Sequence, residues 1–140
     1  MKILLAVDGS SYTKRMLAYL AAHDEWLGAH HEYTLLHANT ALPAHVAAAV
    51  DKATLQSWHD ATADKVFKPL RNFFSKQGLN ARYITKTGEP ANVIASTASK
   101  GGYDLVMLGS HGHGTLVNLL LGSVATKVVA QCKTPVLLVR

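Results

Sequence analysis

Four short residue groups have the composition of a phosphate-binding surface. They are Asp8-Gly9-Ser10, His37-Ala38-Asn39, Thr87-Gly88-Glu89 and Gly109-Ser110-His111-Gly112, and each directly follows a strand-like run. The last is continued, after nine residues, by Gly122-Ser123, giving the spacing G-x2-G-x9-G-S. Glycine has no Cβ, so backbone donors can approach an anion closely, and a helix opening there adds unpaired N–H groups and the positive end of its dipole. The spacing predicts a cradle in which the N–H groups of Gly122, Ser123 and Val124, with the Ser123 hydroxyl, converge on one phosphate. No lysine takes part, and the chain has no G-x4-G-K-[ST] pattern.

The segments between these groups must bring them together. Residues 2–7 form a short apolar run, read as a buried strand that ends in a turn at Asp8. The helix that follows places Met16, Leu17, Leu20 and Ala21 on one face and can stop at Gly28. Residues 33–38 are a second strand and residues 39–43 a loop. A long helical pattern then runs through Val46, Val50, Trp58, Ala61, Phe67, Leu70 and Phe74 to Gly78, with Pro69 expected to kink or split it. Residues 81–87 read as a third strand, and Gly88-Glu89-Pro90 opens a helix with Val93, Ile94 and Ala98 inward. A fourth strand at 104–108, a helix from about Ser123 to Gln131 and a fifth strand at 135–139 complete the chain. Strands alternating with helices predict an α/β fold with a parallel sheet covered on both faces. Such sheets bind ligands beyond the carboxyl ends of their strands, where all four groups fall.

Composition bounds the function. The 140 residues suit one domain spanning 1–140; apolar residues make up 49% and charged residues 16%, which excludes intrinsic disorder. No apolar run approaches the roughly 18 residues of a membrane span, and the run ending at Val7 is too short for a signal-peptide core. Cys132 is the only cysteine, so no intrachain disulfide forms, which fits a cytoplasmic location. The net charge of +5 favours anionic ligands, but its lysines and arginines are scattered without a basic block, so nucleic acid is not an expected partner.

The chain resembles the universal stress proteins, in particular their nucleotide-binding branch. The resemblance rests on Ile3-Leu4-Leu5-Ala6-Val7-Asp8-Gly9-Ser10, Leu35-Leu36-His37-Ala38, Gly88-Glu89-Pro90, residues 103–112 with Leu120-Leu121-Gly122-Ser123-Val124, and Thr134-Pro135-Val136-Leu137-Leu138-Val139. It implies a single-domain, Rossmann-like, open five-stranded parallel sheet of order 3-2-1-4-5, binding ATP, ADP or AMP, with or without Mg2+, between the first and fourth strands. By that likeness Asp8 holds ribose hydroxyls or the adenine edge, and Ala6, Val7 and Ala38 line the adenine pocket. Leu108, Gly109 and Gly112 border ribose and α-phosphate, and Gly122, Ser123 and Val124 hold the outer phosphates. It also implies a homodimer paired through the terminal strands.

Each sharp reading has a plainer one beside it. Asp8 can simply cap a turn. His111 and His113 stand where the family commonly has arginine or a small residue; imidazoles titrate at roughly 6.5, so the phosphate grip is expected to vary with pH. As a metal pair they lack a third ligand nearby. Leu116, Val117, Leu119, Leu120 and Leu121 read as packing under the loop, Trp58, Phe67, Phe73 and Phe74 as core, and Cys132 as a packed residue. Two other functions remain open: a slow ATPase or nucleotide-using transferase, and a nucleotide-free dimeric interaction module.

Overall fold

The computed structural model describes residues 1–114 and 118–140. Eleven elements follow in order: β1 (Lys2–Ala6), α1 (Ser11–Ala22), α2 (Asp24–Leu27), β2 (Glu32–Asn39), α3 (Ala44–Ala49), α4 (Lys52–Lys76), β3 (Ala81–Thr87), α5 (Pro90–Gly101), β4 (Leu105–Gly109), α6 (Ser123–Gln131) and β5 (Val136–Val139). The five strands make one parallel sheet of order β3-β2-β1-β4-β5, as the sequence resemblance implies.

Alternation along the central strands splits the core in two. Ile3, Leu5, Val7, Tyr33, Leu35 and Met107 point to one face, where Met16, Leu17 and Leu20 of α1 and Val66, Phe67, Leu70 and Phe74 of α4 cover them. Leu4, Leu36, Val106 and Leu108 point to the other, against Ala91, Ile94 and Ala98 of α5 and Ala125 and Val128 of α6. Burial on both faces is why these strands are apolar at nearly every position. Cys132 packs at the margin of the second layer. Among the described residues no helix is long and apolar enough to cross a membrane.

Three helical expectations are corrected. Pro69 does not split α4, which runs through it. The proline is exposed on the outer face, so it forfeits only the hydrogen bond to the Lys65 carbonyl while the inner face keeps its packing. The break falls earlier, at Val50-Asp51, because the Asp51 carboxylate caps α4, accepting from the Thr54 N–H at 2.8 Å and from the Thr54 hydroxyl at 2.6 Å. Those bonds hold the Asp51 carboxyl below the usual carboxylate range. Trp58 is not core but 52% exposed, and Ala21 and Ala61 also face solvent. The first helix ends at His23, and α2 carries the chain on to Gly28.

Tyr33 anchors the start of β2. Its ring is 2% exposed and meets Phe74 edge-on at 5.6 Å, and its hydroxyl is shared between the carbonyls of Leu27 and Gly28. Burial pushes its pKa up to about 12 from 10.0. The unfolded chain then loses this proton near 10 and the folded chain near 12, so Tyr33 contributes stability fully below pH 10 and loses it as pH rises through 12. Tyr33→Phe is expected to destabilise the fold by about 1 kcal/mol at neutral pH. It should also flatten the stability decline between pH 10 and 12, measured by urea unfolding at each pH; an identical decline in the variant would assign the titration elsewhere.

Candidate functional site

The turn after β1 is organised by Asp8. Its Oδ1 accepts from the Ser10 N–H at 2.9 Å and from the Thr13 hydroxyl at 3.0 Å, so the capping role is real. Its other oxygen, Oδ2, has no hydrogen-bond donor among the described residues and faces the loop after β4, where a Cβ on Gly112 would stand only 2.8 Å from it. His113 closes the same seam, donating from Nε2 to the Asp8 carbonyl at 2.6 Å. One carboxylate thus serves the turn with one oxygen and leaves the other for a ligand.

The loop after β4 is folded by its own polar groups. The Ser110 N–H donates to the Val139 carbonyl at 2.8 Å, and the Gly122 N–H donates to the Ser110 carbonyl at 2.7 Å. His111 spans the loop: Nε2 donates to the Leu119 carbonyl at 2.8 Å, Nδ1 lies 3.0 Å from the Ser110 hydroxyl, and the ring sits 5.0 Å from that of Tyr12. Gly122 is the N-cap of α6, and no side chain caps that end. The N–H groups of Ser123, Val124 and Ala125 therefore have no intrahelical acceptor and form the positive end of the helix. The predicted donor set is corrected at one position, since the Gly122 N–H is spent inside the loop.

These pieces border a cavity of about 630 Å3 at the carboxyl end of the sheet, within the usual range for small-molecule sites. All ten sequence-predicted residues line it: Ala6, Val7, Asp8, Ala38, Leu108, Gly109, Gly112, Gly122, Ser123 and Val124. Sequence reasoning missed Thr13 on α1, Thr62, Lys65 and Val66 on α4, and Pro90 and Ile94 on α5. None carries a local signal. They arrive through packing, as where Val66 sits 3.5 Å from the place a Cβ on Gly9 would take. Asp8 is the only carboxylate and Lys65 the only lysine or arginine among the described lining residues. At the base of α5 the Asn92 N–H, together with the Lys127 ammonium, holds the Glu89 carboxyl below the usual carboxylate range.

The leucines near α6 depart from expectation. Leu119 is 50% and Leu120 72% exposed, so they do not pack under the loop; Leu121 does pack inward, and Leu116 and Val117 lie outside the described residues. Among the described residues no three His, Cys, Asp or Glu side chains cluster as metal ligands.

Comparison with known proteins converges on one group. The model of the universal stress protein family matches residues 1–140. A universal stress protein of Thermus aquaticus, encoded in the QAH/OAS sulfhydrylase 3'region, is 33% identical over 138 residues, covering 99% of this chain and 97% of that one. The solved structure of MJ0577, a protein of Methanocaldococcus jannaschii, superposes with a TM-score of 0.76 at 28% identity, covering 99% of this chain and 94% of that one. An Arabidopsis thaliana member of the family, solved with AMP bound, shares the fold with a TM-score of 0.71 at 17% identity, covering 99% of this chain and 90% of that one.

Proposed function

Because the chain belongs to the universal stress protein family, we propose that it is an ATP-binding regulatory protein of the stress response, with ADP or AMP as alternative ligands. The observation that carries this reading is the juxtaposition of an uncapped α6 N-terminus with an apolar cleft at the carboxyl ends of β1 and β4, where open parallel sheets hold nucleotides. The AMP bound by the Arabidopsis relative supports the ligand class. In this reading Ala6, Val7 and Ala38 line the adenine, Asp8 Oδ2 accepts from a ribose hydroxyl or from the adenine edge, and Leu108, Gly109 and Gly112 border the ribose and first phosphate. The Ser123, Val124 and Ala125 amides take the outer phosphates, with Gly122 as the spacer that lets them approach. ATP has about 30 heavy atoms, and at about 0.3 kcal/mol each the upper limit is roughly 9 kcal/mol, a submicromolar bound.

The single lining carboxylate argues for a sensor over an efficient phosphotransferase. Asp8 alone could reach a phosphate-bound Mg2+, whereas rapid phosphoryl transfer uses further metal ligands and a cation on the transferred group. Slow hydrolysis is the most that this set supports. We further read the protein as cytoplasmic and as one unit over 1–140. The outer edge of β5, which pairs only with β4 in the sheet, would join a second copy across a twofold axis.

The test is to denature freshly purified protein, identify any released small molecule, and titrate ATP, ADP and AMP into the stripped protein by calorimetry. Released or saturably bound adenine nucleotide is the expected result, and absence of both overturns the reading.

A further inference from the structure

The cavity has a second side of which the nucleotide contacts above use only Val7. Alternation along β1 and β2 sends Ala6, Leu36 and Ala38 toward α5 and α6, and sends Val7 and His37 toward α4. The α4 side is lined by His37, Thr62, Lys65 and Val66. His37 is 8% exposed, its ring edge-on to Phe67, and its Nδ1 donates to the Val7 carbonyl at 3.0 Å. With Nδ1 the donor in that bond, Nε2 is the acceptor of the neutral ring, and it has no hydrogen-bond partner among the described residues. Lys65 forms no ion pair among the described residues, although Asp8 lines the same cavity. The free Asp8 oxygen is turned toward Gly112. A largely buried imidazole and an exposed lysine without an ion pair therefore border the same cavity.

We propose, resting on the nucleotide reading, that this wall selects a nucleotide phosphorylated on its ribose. Lys65 takes a phosphate on the 2'- or 3'-hydroxyl, and His37 Nε2 accepts a hydrogen bond from the hydroxyl left free beside it, Asp8 Oδ2 then accepting from the adenine edge. The 5'-phosphate stays at the α6 N-terminus. A phosphate and its vicinal hydroxyl supply one negative charge centre and one donor, which is what a lysine and a neutral imidazole require.

Calorimetric titration of AMP, adenosine 2',5'-bisphosphate and adenosine 3',5'-bisphosphate at fixed ionic strength tests this. The better bisphosphate is expected to bind the parent protein about tenfold or more tightly than AMP, the scale of one charge-assisted contact. The ratio should fall to within about twofold of unity in Lys65→Ala and return in Lys65→Arg. The deoxy form of the better isomer, lacking the neighbouring hydroxyl, should bind several-fold more weakly; equal binding removes His37 from the proposal. AMP binding with no advantage for either bisphosphate, or an advantage that survives Lys65→Ala, overturns the proposal and leaves the nucleotide reading standing. Failure of all three ligands overturns both.

Discussion

Replacing Gly122 by valine is expected to weaken ATP binding by about a hundredfold or more, the loss of roughly two hydrogen bonds to a charged group. The backbone at Gly122 is extended, with φ −69 and ψ 164, so a β-branched residue suits it and the helix should still form. The obstacle is space. A Cβ there stands 3.1 Å from the His111 Cα and 3.2 Å from the Ser110 carbonyl oxygen, both main-chain atoms of the loop beside the α6 N-terminus. Two further methyl groups would displace that loop across the α6 amides. Calorimetry of stripped parent and variant reads the effect, with thermal unfolding as the control. Parental affinity in a folded Gly122→Val protein would show that the amides of α6 hold no phosphate.

Gly109→Ala should act on stability instead. A Cβ at Gly109 would lie 2.5 Å from the Tyr12 Cβ and 3.2 Å from the His111 carbonyl oxygen. The Tyr12 Cβ is fixed to the α1 backbone, so the contact is relieved only by shifting the helix away from β4. Overpacking of this kind costs about 2–3 kcal/mol. The measurement is a urea titration, in which the midpoint falls at an unchanged slope. An unmoved midpoint would mean that α1 slides freely on the sheet. The proposed nucleotide site should suffer as well, because the Tyr12 ring lies against His111 and Thr13 bonds Asp8.

The central strands were legible because burial on both faces leaves an unbroken apolar run, the edge strand β3 because it alternates, and α6 because a glycine and a serine mark its start. Pro69 misled because a local rule cannot tell an exposed helix face from a buried one. Trp58 misled for a different reason: nine residues before Phe67, at about 100° each, it falls on the opposite face of α4, and His59 takes the inward position. At the site, the residues that follow strands were visible, since topology alone sends them to one edge. His37 was visible as a member of its group but not in its role, which depends on the bond to Val7 thirty positions away. Lys65 was one scattered lysine among many until α4 packed over Gly9. The Gly122 donor was misassigned because its bond to Ser110 belongs to the folded loop, not to the spacing.

The seam between β1 and β4 also governs when the pocket comes into being. Ile3 pairs with Leu105, and the Lys2 N–H meets the Asp104 carboxylate, across a separation of 102 residues. Parallel pairing over such distances must pay chain-closure entropy before any contact repays it, so this seam forms late relative to local helices. During synthesis the first 100 or so residues emerge with β1, β2 and β3 able to associate but with half the pocket still unmade. On the proposed function, ligand capture would mark completed assembly: nucleotide present during refolding should leave early collapse unchanged and slow only the reopening of the finished sheet.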